Sequence, residues 1–250
     1  MGTRARQPSP SATARRAVAR LAAAGSARRA AGMLRYFRAD EDVRFHGVAL
    51  PTVRRIARDI WTAARGRWDV RTATAFTDRM VSAPELETKA VGILVLGRWS
   101  SAFPRGLLPT ARRWLADGHL ATWAAVDLVA PTVLTPLVRQ YPELAPRVAT
   151  WTRARSLWVR RAAAVTFVPL ARRGERLPLA YRVARALADD DHDLIHKATG
   201  WLLREAGKTD MARLEAFLRA EGPRLPRTTV RYAIERFPVA ARRRLLEATR

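Results

Sequence analysis

Tryptophan recurs along the chain at nearly regular intervals, and this spacing constrains the fold more than any other feature. Trp61 and Trp99 are separated by roughly 40 residues, and so are Trp158 and Trp201. Two helices with two short loops fill about 40 residues, which is the length of one HEAT-like repeat. The spacing therefore predicts an α-solenoid of about five or six helical pairs, wound into a curved superhelix.

The segments between these tryptophans are typical of helices. Residues 82–85 have the spacing of a capping box before the run 86–99, and Ser156 stands where an N-cap would precede the next long apolar segment. The run VGILVL at 91–96 could form a buried strand by itself, but its capped and charged lead-in favours a helix. Since no segment alternates apolar and polar residues convincingly, we expect an all-α fold.

The charge of the chain indicates a polyanionic partner. Lysine and arginine number 46 against 22 acidic residues, which gives a net charge of +24, while 48% of the residues are hydrophobic. Such a composition supports a globular core and attracts phosphate. Nucleic acid is the first candidate partner and an acidic membrane surface the second. A solenoid with a basic concave face would suit a rod such as duplex DNA.

Composition excludes proteins held by disulfides or Cys-ligated metals, and proteins that span a membrane. The chain contains no cysteine, so it has no disulfide framework and no Cys-ligated zinc or iron–sulfur centre. Its apolar runs, such as 91–96 and 162–170, fall far short of the roughly 18 residues that a membrane span requires. We therefore expect no membrane-spanning segment. With nucleic acid as the favoured partner, we also expect no membrane association and a cytoplasmic location.

Positions 1–39 contain nine arginines and no acid. Residues 1–13 are polar and contain proline and serine, so we expect them to be a disordered basic terminus that helps the protein to dock on DNA. Their composition also resembles an organelle transit peptide. Residues 14–250 are expected to form a single HEAT-like repeat domain.

Three segments carry residues that could take part in catalysis or binding. Asp127 follows Trp123 by one helical turn, Arg161 stands among apolar neighbours, and Gly200 leaves room beside Trp201. The step from the first segment to the second and the step from the second to the third are each close to one repeat, roughly 40 residues. Successive repeats would thus place the three segments at equivalent positions on one face. A purely structural alternative is that Asp127 pairs with Arg161 between repeats while the tryptophans lie in the core.

His192 and His196 share a helical face at positions i and i+4, which is half of a zinc site. The chain has only two other histidines, so we interpret the pair as solvated or phosphate-contacting and predict no metal site.

Several motifs taken together resemble the AlkD family of DNA glycosylases, which remove alkylated purines and are built from HEAT-like repeats. The matching stretches occur in order along the chain: LRYF (34–37), TWAAVDLVAPTVL (122–134), PEL (142–144), LWVRRAA (157–163) and KATGWLLREAGKT (197–209). The last stretch is the most specific.

The resemblance implies a role for individual residues. Asp127 matches the catalytic carboxylate of the family, Trp123 and Trp201 match its active-site tryptophans, and Arg161 matches an active-site arginine that contacts the DNA backbone. Tyr36 matches an aromatic residue near the site. The chain departs from the family at 122–124, where TWA replaces the frequent WWD.

The activity implied is that of a monofunctional glycosylase without cofactor or metal. It would hydrolyse the glycosidic bond of cationic N3- or N7-alkylated purines in double-stranded DNA, leave the base stacked, and produce an abasic site as a monomer. Arg160, Lys197 and Arg204 are further candidates for contacts with the DNA backbone. The alternatives are a non-catalytic HEAT-repeat protein that binds duplex or branched DNA, and a solenoid that binds an acidic protein.

Overall fold

A computed structural model describes residues 9–38 and 41–250, and these residues form helices and no β-strand. The α-helices are α1 (Pro10–Ala23), α2 (Ala27–Leu34), α3 (Leu50–Ala64), α4 (Val70–Val81), α5 (Leu86–Leu96), α6 (Leu107–Ala116), α7 (Trp123–Val129), α8 (Thr135–Gln140), α9 (Leu144–Ala149), α10 (Leu157–Ala171), α11 (Leu177–Ala186), α12 (Asp193–Ala206), α13 (Met211–Glu221), α14 (Arg227–Ala233) and α15 (Val239–Ala248). Short 3-10 segments lie at Gly97–Ala102, Thr150–Arg153 and Gly222–Arg224, and a π-helical segment lies at Ala130–Leu134.

The all-α fold of helical repeats is thereby confirmed. The chain divides into two compact units, the first ending at Val133 and the second beginning at Leu134. The single domain expected over 14–250 and its basic concave face stay predictions. No helix in the part of the chain that the structure describes has the length and apolar character needed to cross a bilayer.

The N-terminal boundary differs from the prediction. Residues 1–8 lie outside the described residues, but α1 already begins at Pro10, so the disorder expected up to Thr13 is wrong for residues 10–13. The Ser9 hydroxyl accepts a hydrogen bond from the Ala12 N–H at 3.1 Å, and proline is favoured in the first helical turn. Ala17 and Leu21 of this helix are buried, so its packing adds to the local capping signal.

In the first unit, α5 is the central helix. It packs along α4 and also contacts α3, α1 and α7. The run at 91–96, which has a strand-like composition, is helical as predicted. Its side chains are buried on most sides because neighbouring helices cover them, and this explains why the sequence shows no polar face there.

A buried carboxylate holds the connection that leads into α3. Glu87 of α5 is 4% exposed, and its oxygens accept hydrogen bonds from the backbone N–H groups of His46 at 3.1 Å and of Gly47 and Val48 at 2.9 Å each. Gly47 adopts a left-handed conformation with φ +75°, which glycine tolerates without strain. Burying this carboxylate is tolerated because three amides satisfy it.

The second unit is built around α10, α12 and α14, which pack in that order. Arginines in this unit bind carboxylates that lie 30 to 36 positions further along the chain, which is close to one repeat. The pairs are Arg139 with Glu175, Arg160 with Asp190, Arg172 with Glu205, Arg185 with Glu221, and Arg204 with Glu235. Ion pairs thus link successive helical pairs within the unit.

Glu205 is the most buried acid of this set. Its side chain is 2% exposed, and its Oε2 lies 2.6 Å from Arg172 Nε and 2.7 Å from Lys208 Nζ. Burial raises the pKa of Glu205, but hydrogen bonds from Lys208 and Arg172 outweigh this effect and hold the pKa below its ordinary value of 4.5. The folded state therefore favours the ionised carboxylate.

The substitution Glu205→Gln should destabilise the chain by about 1.5–3 kcal/mol at pH 7, because it removes hydrogen bonds between charged groups. The cations left behind, Arg172 and Lys208, are 55% and 35% exposed and can be hydrated. Since the folded pKa is lowered, this stabilisation is complete above about pH 4.5 and is lost as the pH falls through the folded pKa. Urea denaturation of both proteins at pH 7 and pH 3.5 measures the difference. The control Glu215→Gln removes the exposed pair with Arg219 and should cost less than about 0.5 kcal/mol. An equal effect of Glu205→Gln at both pH values would contradict this assignment.

Candidate functional site

Helix α7 presents an indole and a carboxylate one turn apart. It begins at Trp123, and Thr122 caps it by accepting a hydrogen bond from the Ala125 N–H at 3.1 Å. Asp127 follows in the same helix, and both Trp123 and Asp127 are half-buried. Residues at i and i+4 are neighbours on a helix surface. The local arrangement that the sequence predicts for these two residues is therefore present.

Two phenylalanines support the indole, and sequence reasoning missed both. The ring of Phe37 stacks on Trp123 with centroids 5.2 Å apart and planes inclined by 20°. Phe45 packs against Phe37 at 5.4 Å and 58°. We call Phe37, Phe45 and Trp123 the aromatic trio. Tyr36 lies next to Phe37 in the LRYF motif but is 78% exposed.

The loop behind the aromatic trio is fixed by the buried carboxylate of Glu87. Phe45 immediately precedes the three residues whose amides bind Glu87. The ring of His46 also bonds to the Thr88 hydroxyl at 2.9 Å. Because the loop is tied to α5, the position of Phe45 is defined, and the stacking of Phe37 on Trp123 rests on it.

The helical path of the chain continues past Pro131, although proline usually breaks or kinks an α-helix. Residues Ala130–Leu134 form a π-helical segment, and α8 follows from Thr135. A π-helical segment leaves the usual hydrogen-bond ladder of an α-helix. It can therefore accommodate a residue that has no N–H to donate.

A half-buried lysine, Lys89, lies in a cleft that reaches Thr122. Lys89 donates hydrogen bonds to the carbonyls of Val81 at 2.8 Å and His119 at 2.7 Å. Burial lowers the pKa of Lys89, and Glu85 partly opposes this effect. The cleft has a volume of about 230 Å³. The two backbone acceptors make the lysine a structural link between the end of α4 and the loop that follows α6.

Arg161 of α10 lies inside the second unit. Only 5% of the residue is exposed, and its Nη1 donates a hydrogen bond to the Leu194 carbonyl at 2.5 Å, at the start of α12. This bond joins α10 to α12, and it leaves little of the guanidinium to meet a phosphate. The predicted contact between Arg161 and the DNA backbone stays a prediction.

Three other predicted backbone-contacting residues have carboxylate partners. Arg160 Nε lies 2.6 Å from Asp190, Lys197 Nζ lies 2.7 Å from Asp193, and Arg204 binds Glu235. Arg160 also donates to the carbonyls of Ala154 and Arg155. Lys197 is the most accessible of the three, with 41% of its side chain exposed.

Trp201 is half-buried on α12, and the glycine before it has a different purpose from the predicted one. A Cβ at Gly200 would lie 2.4 Å from the Cβ of Tyr232 and 2.8 Å from the carbonyl oxygen of Thr229. Gly200 therefore allows α14 to approach α12 closely. The expectation that it makes room for the indole is not needed to explain it.

The two histidines at the start of α12 bind the backbone. His192 caps the helix, with Nδ1 accepting a hydrogen bond from the Leu194 N–H at 3.1 Å, and His196 Nε2 lies 2.5 Å from the Asp190 carbonyl oxygen. Within residues 9–38 and 41–250, no group of three His, Asp or Glu side chains is placed to hold a metal ion.

Comparisons with known proteins point to one family. The family model described as DNA alkylation repair enzyme matches residues 17–237. A solved structure of a predicted DNA alkylation repair enzyme from Enterococcus faecalis has a TM-score of 0.75 and 18% identity, covering 86% of this chain and 97% of that one. The protein smu.31 from Streptococcus mutans UA159 has a TM-score of 0.52 and 12% identity, covering 80% and 96% respectively. At these identities the two structures show a shared fold. No curated protein matches the chain.

The substitution Arg160→Met should cost about 3 kcal/mol of unfolding free energy, because it leaves the carboxylate of Asp190, 9% exposed, without its guanidinium. The matched variant Lys197→Met removes an exposed pair and should cost less than about 0.5 kcal/mol. Urea denaturation measures both values. If Arg160→Met were as stable as Lys197→Met and only its DNA affinity fell, Arg160 would belong to the DNA-binding surface.

Proposed function

Since the chain belongs to the DNA alkylation repair enzyme family, we propose that it is a DNA glycosylase that hydrolyses the N-glycosidic bond of purines alkylated at N3 or N7. One observation carries the proposal: Asp127 stands one turn after an indole whose position the aromatic trio defines. This arrangement offers a carboxylate and a π-face to the same substrate.

The chemistry requires little more than these groups. A purine alkylated at N3 or N7 is cationic, so it is already a good leaving group. The barrier lies in the positive charge that develops on the deoxyribose as the bond breaks, as it does in glycoside hydrolysis. The carboxylate of Asp127 would stabilise that charge and orient the attacking water. The product is a free base and an abasic site.

The indoles would select the damaged nucleotide by its charge. A cation over an indole face gains roughly 0.5–2 kcal/mol. Phe37 covers one face of Trp123, so a cationic base could meet only the other face. Trp201 supplies a second half-buried indole in the second unit. A normal, neutral purine would gain much less from either contact.

The partner in this proposal is alkylated double-stranded DNA, and the protein acts on it as a monomer without cofactor. The net charge of +24 attracts the duplex without reading its sequence. The reaction is proposed to proceed with the base still stacked, since charge and the backbone suffice for recognition. The protein would work where the genomic DNA is, in the cytoplasm at the nucleoid.

Wild-type protein should release 3-methyladenine or 7-methylguanine from methylated duplex DNA, and Asp127→Asn should slow this release by about 100-fold or more, because it removes the charge that stabilises the transition state. Chromatography of released bases under single-turnover conditions measures the rate. Asp117→Asn, which changes an exposed acid at the end of α6, is the control and should act like wild type.

Unchanged release by Asp127→Asn would contradict the assignment of the catalytic acid. Duplex binding by the wild type without release of any base would instead favour the non-catalytic DNA-binding protein.

Phe37→Ala should lower the single-turnover rate by about two- to tenfold, equivalent to the ~0.5–1.5 kcal/mol of an aromatic pair, because Trp123 loses its stacking partner. Phe37→Tyr keeps the stack and should restore the rate to within about twofold of wild type. Fluorescence anisotropy with undamaged duplex should show equal affinity for both variants. A parallel loss of affinity would mean that Phe37 contacts DNA itself.

A further inference from the structure

Three arginines surround a cleft in the first unit that lies outside the Trp123 and Asp127 site. The cleft has a volume of about 470 Å³. Its lining residues come from α3, from the end of α5 with the 3-10 segment that follows, and from the π-helical segment: Arg54, Ala57, Arg58, Leu94, Gly97, Arg98 and Thr132. The three arginines lie at or near the surface, while Ala57 is buried and Leu94 half-buried. The cleft thus combines a cationic rim with an apolar floor.

Helix geometry and one close approach bring the three guanidinium groups to this cleft. Arg54 and Arg58 are at i and i+4 on α3, so they project from one face. Arg98 follows Gly97, where an added Cβ would lie 2.4 Å from Cγ2 of Thr132. A glycine at this position lets the segment that carries Arg98 pack closely against the π-helical segment.

No acid among residues 9–38 and 41–250 neutralises these arginines. The one acid of α3, Asp59, pairs with Arg20 at 2.6 Å, and Glu87 of α5 is buried against backbone amides. None of the three rim arginines forms an ion pair with any residue that the structure describes. Like charges at i and i+4 repel each other, so a cluster of this kind is stabilised when an anion binds.

Arg98 is also held in place by an aromatic ring. Its guanidinium carbon lies 5.3 Å from the ring centroid of Trp61, and that of Arg65 lies 5.4 Å from the same centroid. Cation–π contacts of this kind restrain a long side chain. A restrained guanidinium loses less conformational entropy when it binds a ligand.

We propose that this arginine cleft binds a phosphodiester group of the DNA duplex. The inference rests on the proposed function, since it takes duplex DNA as the partner, and it adds a second point of contact on the first unit. Guanidinium groups match phosphate oxygens with paired hydrogen bonds. The cleft offers charge and no groove-reading element, so it fixes the backbone without selecting a sequence.

The test compares two triple variants of the full chain that lose the same charge. Arg54→Gln, Arg58→Gln and Arg98→Gln empty the cleft of guanidinium groups. Arg71→Gln, Arg112→Gln and Arg113→Gln change exposed arginines on α4 and α6 and serve as the control. Binding to an undamaged, fluorescein-labelled 20-base-pair duplex is measured by anisotropy from 50 to 300 mM NaCl. Circular dichroism checks that each variant is folded.

The cleft variant should bind at least tenfold more weakly than the control at 100 mM salt. Its slope of log K against log salt should be shallower by about 0.9 for each phosphate that it no longer neutralises. If the triple variant does not fold, Arg98→Gln alone should still make the slope of log K against log salt shallower, by up to about 0.9. A cleft variant whose affinity and slope equal those of the control would overturn the proposal.

Two further measurements separate other ligands. Binding of inorganic phosphate is measured by calorimetry. The proposal is overturned, and the cleft is assigned to a free phosphate, if the wild type binds phosphate at micromolar concentration, the cleft variant does not, and the cleft variant binds the duplex as the control does. The proposal is also overturned if the wild type binds a 20-nucleotide RNA more tightly than the duplex and the cleft variant does not. Because the probe is undamaged DNA, the outcome does not depend on base release. A failure of the glycosylase assay is therefore distinguishable from a failure here.

Discussion

The chain has 22 acidic residues and 46 basic ones, so fewer than half of the basic side chains can pair one-to-one with a carboxylate. The positions of these few carboxylates govern the rest of the structure. In the second unit, carboxylates are used to bind arginines about one repeat away, as in the pairs of Arg139 with Glu175 and Arg172 with Glu205. These pairs tie successive helical pairs together. Because one-to-one pairing must leave 24 cations unmatched, the positions of the unmatched cations indicate where an external anion is needed.

This constraint changes which residues are expected to meet DNA. Arg160 and Arg204, which sequence motifs suggested, have partners within the second unit, and Arg161 is buried against a carbonyl. Their cost of desolvation is already met by intramolecular bonds, so they have less to gain from phosphate. Arg54 and Arg58 have no such partner among the described residues. Under the proposed function, electrostatic attraction to DNA would therefore come mainly from side chains that the motifs did not single out.

Local signals predicted the helices well, whereas long-range contacts carried no signal in the sequence. The charged lead-in to 86–96 acts within a few positions, and α5 begins directly after it, at Leu86. The capping box predicted at 82–85 is wrong, because Ser82 ends α4, where its hydroxyl donates to the Asp78 carbonyl at 2.8 Å, and Glu85 makes no side-chain cap. Residues 10–13 were misjudged because the Pro- and Ser-containing composition outweighed the N-cap at Ser9. The stack of Phe37 on Trp123 joins two residues far apart in the chain, so only tertiary packing could reveal it. The fold was thus predictable, and the supports of the candidate site were not.

Two acids of the first unit illustrate why the proposed chemistry is selective. The carboxylate of Glu87 accepts hydrogen bonds from three backbone amides, and it thereby fixes the loop that carries Phe45 of the aromatic trio. Asp127 is the acid that α7 contributes beside the supported indole. In the proposed mechanism these groups stabilise positive charge, and none of them gives a proton to the departing base. A neutral purine needs such a proton to become a good leaving group, whereas an N3- or N7-alkylated purine does not. Selectivity for cationic lesions therefore follows from the chemistry of the reaction as much as from binding.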